Sequence, residues 1–275
     1  MVSRHVSLMV GVCTALVLVA GMTGSASATT IVSLDDLNSH VGFDTGSGVI
    51  SWTVDSIQQL KQQWFFYRLQ GTTQELPLST LGYVKSKASD ANWNPGNDIL
   101  NAVYGSEAGF SVTLTYVLAG GLDGTRKSDL QETIAFNNRT LAPVRLQFFQ
   151  YCDFDLNGTP SDDTVRVVNA NYISQRDVAT MVAETVVTPS PARTEVAVYH
   201  DTLDKLTNTF ADDLDNSKGP IGPEDVTWAF QWDLTVPAGG TVQISKDKNM
   251  VPEPATLGLM GLGVVAMLAA RRRRR

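Results

Sequence analysis

Phe110-Ser-Val-Thr-Leu-Thr-Tyr-Val-Leu118 is the stretch that decides the fold. Val112, Leu114, Tyr116 and Leu118 fall on one side of an extended chain, and Ser111, Thr113 and Thr115 on the other. Side chains alternate between the two faces of a strand, so this period of two predicts a half-buried β-strand. The same period recurs on both sides of it. Residues 48–54 and the aromatic run 64–69 read as strands upstream. Residues 129–136, 143–156, 164–168, 178–187, 194–199, 226–236 and 241–245 follow downstream. Only residues 201–206 look helical, and that segment is short. Asn94-Pro-Gly-Asn97, Gly120-Gly121, Asp123-Gly124, Asn157-Gly158 and Gly239-Gly240 punctuate the strands as turns. Short strands with frequent turns and little helix predict an all-β protein, an antiparallel β-sandwich of jelly-roll type. Residues 225–236 followed by 237–248 read as a closing hairpin around Pro237-Ala-Gly-Gly240.

Composition narrows the function classes. The chain has 275 residues, 18% charged and 43% hydrophobic, which favours a folded core over disorder. Arg4, Arg271–Arg275 and Glu253 lie in terminal segments. Setting these six basic residues and one acidic residue aside from 21 and 28 leaves 15 and 27, a net of −12. So acidic a middle region is unsuited to nucleic acid. The three histidines, His5, His40 and His200, are too few for a His-rich zinc site. Two cysteines, Cys13 and Cys152, cannot build a disulfide scaffold.

The two ends read as addresses. Arg4 and His5 precede an apolar run over residues 6–22, and Ala26-Ser-Ala28 supplies a small-x-small cleavage site. Residues 1–28 are thus expected to be a signal peptide cut by signal peptidase between Ala28 and Thr29, leaving residues 29–250 as the ectodomain. At the other end Val251-Pro-Glu-Pro254 precedes a 16-residue apolar run, 255–270, and then Arg271, Arg272, Arg273, Arg274 and Arg275. That run is about 24 Å long as a helix, short for a membrane span unless the arginines extend it by snorkelling. The arginines act as a membrane stop on the cytoplasmic side and place the preceding domain outside. The physics of this tail alone specifies an anchor. Pro252, Glu253 and Pro254, followed at once by the Gly-rich apolar run and the Arg cluster, resemble the PEP-CTERM sorting signal. That resemblance covers residues 251–275. It implies recognition and cleavage by an exosortase, and a host that makes extracellular polysaccharide or biofilm matrix.

The middle region carries two candidate sites. Asp153-Phe-Asp155-Leu-Asn157-Gly158 begins like a calcium loop, in which alternate acidic oxygens precede a sharp glycine turn. The pattern stops there, because Thr164 stands where a bidentate Glu belongs; Asp162 or Asp163 would serve only with a different loop path. The other reading is a strand whose aspartates face water and end in an Asn157-Gly158 type I′ hairpin turn. Trp93, in the polar Asn92-Trp-Asn-Pro-Gly-Asn97, is the candidate exposed aromatic for stacking on a sugar ring. Trp228, Phe230 and Trp232 share one strand face and read as core, as does the thiol of Cys152. Asp212-Asp-Leu-Asp215 reads as a solvated loop. No nucleophile elbow or phosphate loop is found, so an enzyme is not expected. The expected function is a structural or adhesive protein of the envelope or matrix, with exopolysaccharide as a candidate partner. A lectin-like module is the alternative, and an enzyme acting on polysaccharide a third.

Overall fold

A strand with one apolar face has to cover it, and here two antiparallel sheets cover each other. The computed structural model describes residues 29–253. The N-terminal segment with Ala26 and Ala28, Pro254, the C-terminal apolar run and Arg271–Arg275 lie outside the described residues. Among the described residues no helix is long and apolar enough to cross a membrane.

The chain opens with β1 (Ile31–Asp36), β2 (Ser39–Asp44), β3 (Gly48–Val54) and β4 (Ile57–Leu69), paired in succession, with the short β5 (Leu76–Pro77) on β4. A second meander follows: β6 (Tyr83–Ser89), β7 (Ile99–Gly105), β8 (Phe110–Gly120) and β9 (Ser128–Asn138). Then come β10 (Val144–Phe154), β11 (Asp163–Asn169), β12 (Tyr172–Arg176), β13 (Thr180–Thr188) and β14 (Arg193–Val198). Helix α1 (Asp201–Thr207) precedes β15 (Ile221–Glu224), β16 (Val226–Val236) and β17 (Thr241–Pro252). The first sheet runs β1-β2-β3-β4-β10-β16-β14, and the second β15-β11-β12-β13-β17-β9-β8-β7-β6.

The expected all-β sandwich is present, and β8 alternates as its sequence predicts. Val112, Leu114, Tyr116 and Leu118 are all buried. In the interior Phe154 stacks on Trp228 of the same sheet with ring centroids 5.0 Å apart, and Phe136 meets Phe148 of the opposite sheet edge-on at 4.8 Å. Trp228, Phe230 and Trp232 are buried in this core.

Two local expectations are corrected. Residues 225–248 do not form a hairpin: β16 pairs with β10 and β14 in one sheet, and β17 with β13 and β9 in the other. Pro237–Gly240 therefore carries the chain across the sandwich. Asn157-Gly158 does have the paired positive φ values of a type I′ turn, 56° and 75°. It joins β10 to β11, however, and these belong to different sheets. In both cases the turn residues were legible, but not the sheet to which the chain returns.

The core also holds a charged network that no local pattern announces. Lys246 and Lys248, two apart on β17, point inward and pair with Glu132 of β9 and Glu184 of β13. All four are buried. From the opposite sheet Gln63 donates to Glu132, and Gln150 and Trp228 donate to Glu184. Two positive and two negative groups thus share one dry space with their hydrogen bonds largely met, the condition under which buried charge is tolerated.

Candidate functional site

Trp93 stands fully exposed on the loop between β6 and β7. The loop beneath it is tied down. Asn92 and Asn94 both donate side-chain amide N–H groups to the Asp36 carboxylate, at 3.2 and 2.8 Å. Asp98 accepts from the Ala91 backbone and from Asn92 at 2.8 and 2.6 Å. Gly96 has φ 116° and lies against Asp35, so close that an added Cβ would come within 2.7 Å of Asp35. The loop therefore presents its indole from a pre-ordered backbone.

A polar groove of about 260 Å³ opens beside this loop. Pro95 contributes one wall, and Asp35, Asn38, His40, Asp55 and Asp123 line the rest. His40 and Asp35 are bonded at 2.6 Å. Burial pushes the Asp55 carboxyl up, but backbone N–H groups of Gly124 and Arg126 together hold it below its ordinary range. Leu37 and Leu122 are exposed at the same end, adding apolar surface beside the carboxylates. Hydroxyl partners and a flat apolar platform together are what a sugar ring requires.

The aspartates of the sequence motif part company. Asp153 does not face water: it is 3% exposed at the end of β10, where a bulge opposite β4 breaks the register after it. Its neighbours are Asp155 and Asp225, and one oxygen from each of the three lies within 4.8 Å of the others. Burial and then the charges of Asp155 and Asp225 push the Asp153 carboxyl up to about 8. Asn157 points elsewhere. Its side-chain amide donates to Asp177 at 2.5 Å and its oxygen accepts from Thr180 at 3.1 Å. Asp163 accepts from the Leu156 backbone and from Gln175, which holds the crossover in place. The structure thus gathers two of the three motif residues and adds Asp225, 70 residues on from Asp155. Nothing local to Asp225 signalled this.

Other residues resolve as structural. Cys152 is a free, buried cysteine. Burial and then the Glu184 charge push its thiol well above the ordinary value. Asp212–Asp215 is a loop with Asp213 and Asp215 exposed, as expected, but it is anchored: Asp213 accepts from Arg68, Gln147 and Gln231 at 2.6, 3.1 and 3.0 Å, and Leu214 is buried.

The sorting motif begins inside the fold. Pro252 is the last residue of β17, opposite Thr180, and the Glu253 N–H donates to the Ala179 carbonyl at 2.9 Å. No linker separates the sandwich from the motif.

These features define the class: an exported all-β ectodomain that runs directly into a C-terminal sorting signal. Residues 251–274 match the PEP-CTERM protein-sorting motif, which implies export and handling by an exosortase-type enzyme. No curated protein sequence matches the chain. Among solved structures it is similar to a bacterial glucoamylase complexed with acarbose, at TM-score 0.53 and 9% identity, covering 86% of this chain and 34% of that one. It is also similar to a galactose mutarotase related enzyme from Lactobacillus acidophilus, at TM-score 0.51 and 7% identity, covering 82% and 97%. The chain thus spans about a third of the glucoamylase and nearly all of the mutarotase-related protein. At such identities the likeness is one of fold.

Proposed function

We propose that the protein is a non-enzymatic structural or adhesive component of the envelope or extracellular matrix, whose ectodomain binds exopolysaccharide through Trp93 and the groove beside it. The observation that carries this reading is the fully exposed indole on a loop ordered by Asp36 and Asp98, next to a groove lined with carboxylates. An aromatic left bare on a pre-ordered loop contributes nothing to the core and is free to stack on a ligand. The sorting signal implies export, which is compatible with a role among polymers outside the cell. Two neighbours of the same fold carry sugar-related names, which is compatible with this reading.

The test is binding of the mature protein to an array of bacterial exopolysaccharides, with Trp93→Ala as the partner sample. Specific binding that weakens about tenfold in the variant, with an unchanged Tm, supports the reading; about 1.4 kcal/mol is within the range of one aromatic contact. Binding unaffected by Trp93→Ala removes this residue from the site. Silence of a well-folded sample leaves a structural role exerted through protein partners.

A further inference from the structure

We infer that Asp153, Asp155 and Asp225 form a binding site for a hard divalent cation, calcium in kind, that clamps the two crossovers between the sheets at one end of the sandwich. The inference is independent of sugar binding.

The three carboxylates are brought together by topology. Asp155 follows β10 on the passage from the first sheet to the second. Asp225 is the single residue between β15 of the second sheet and β16 of the first. Asp153 sits between them, with an oxygen of each within 4.8 Å of the others. A second observation points to a ligand. The Oδ1 of Asp153 is buried and has no hydrogen-bond partner. Thr227 is the cross-strand neighbour of Asp153 on β16, so both side chains stand on one face, and Tyr151 shares that face two residues away. The hydroxyls of Thr227 and Tyr151 are buried beside it with no partner beyond each other. Buried oxygens are normally satisfied, and an orphaned carboxylate oxygen beside two further carboxylates marks a missing partner with positive charge. Lys61 and His200 are the basic side chains that bear on this group, and neither gives it a hydrogen bond.

Donor chemistry sets the class of ion. The group offers carboxylates alone, which suits a hard cation and not zinc or copper. Calcium tolerates irregular coordination completed by hydroxyls and water, whereas magnesium demands a near-ideal octahedron. Asp155 and Asp225 are half-buried, so water has access to complete the shell. The expected Kd is in the range of about 10⁻⁴ to 10⁻³ M found for extracellular modules.

The test uses the full mature chain in detergent, with Ca²⁺ alone as ligand and Tb³⁺ as the luminescent probe. Millimolar Ca²⁺ against EDTA should raise Tm by about 5 °C, and Tb³⁺ emission excited through Tyr151 should be displaced by Ca²⁺. Asp225→Asn and, separately, Asp155→Asn should abolish both signals while the EDTA-state Tm stays the same or rises, because a repulsive charge is gone. Asn157→Gly keeps the positive φ and should leave Ca²⁺ binding intact. A wild-type protein indifferent to Ca²⁺, or an Asp225→Asn variant that still responds, overturns the site. Loss of the response in Asn157→Gly alone would return the ion to the contiguous loop, and an equal shift with Mg²⁺ would overturn the assignment to calcium.

Discussion

Glu184 shows how one residue can tie stability to pH. It is buried among Lys246, Lys248, Gln150 and Trp228, with Cys152 and Glu132 also near. Burial alone would raise its pKa, but the two ammonium groups and the hydrogen bonds hold it at about 2, below its ordinary 4.5. A carboxyl with a depressed folded-state value stabilises the fold above the unfolded pKa and loses that contribution as pH falls through the folded one. The loss should therefore run from about pH 4.5 towards 2. Acid titration followed by Trp228 fluorescence checks it, since the indole N–H donates to Glu184 at 3.0 Å. Glu184→Gln should remove that part of the acid dependence while lowering stability at neutral pH, because two lysines are left with one partner.

At the scale of elements, the segment from residue 208 to 220 behaves as a strap over the outer face of the first sheet. Arg68 of β4 is its buckle. Arg68 pairs with buried Glu75 and with Asp213, and its guanidinium also donates to the Asp212 carbonyl at 2.8 Å. Glu75 accepts in turn from the Asp212 N–H, and Gln231 accepts from the Leu214 N–H. Arg68→Met should cost about 3–5 kcal/mol, because Glu75 stays buried without its counter-charge. Hydrogen exchange should show the Asp212 and Leu214 amides opening first while β8 and β9 remain protected; uniform exchange across both sheets would contradict the strap. The anchoring of this loop was not legible from sequence for a physical reason. Three aspartates in four residues give no local sign that an arginine 145 residues away is folded against one of them.

For the whole molecule, the position of β17 matters most. It lies between β13 and β9 inside the second sheet, carries the buried Ile244 and Met250, and supplies both buried lysines. The second sheet cannot close without it. A chain ending at Gly240 should show no cooperative thermal transition by circular dichroism, whereas one ending at Pro252 should unfold cooperatively. The sorting motif follows immediately, with Glu253 already bonded to Ala179. Completion of the fold and presentation of the motif therefore fall at one place in the chain.

By itself the sequence determined the all-β class, the alternation of β8, the aromatic face of β16, the exposure of Trp93 and the match at the C-terminal signal. Each rests on neighbours in the chain: side-chain period, turn chemistry, or a contiguous motif. Several strands went unread, among them β1, β2 and β6, whose apolar residues are interrupted by polar ones such as Asp35, His40 and Lys85. Only the tertiary structure decided which sheet each strand entered, that Asp225 and not Asn157 joins Asp153 and Asp155, and that Lys246 and Lys248 are buried. A strand pattern records which face is apolar but not which partner lies across it, and these contacts depend on register between segments far apart in the chain.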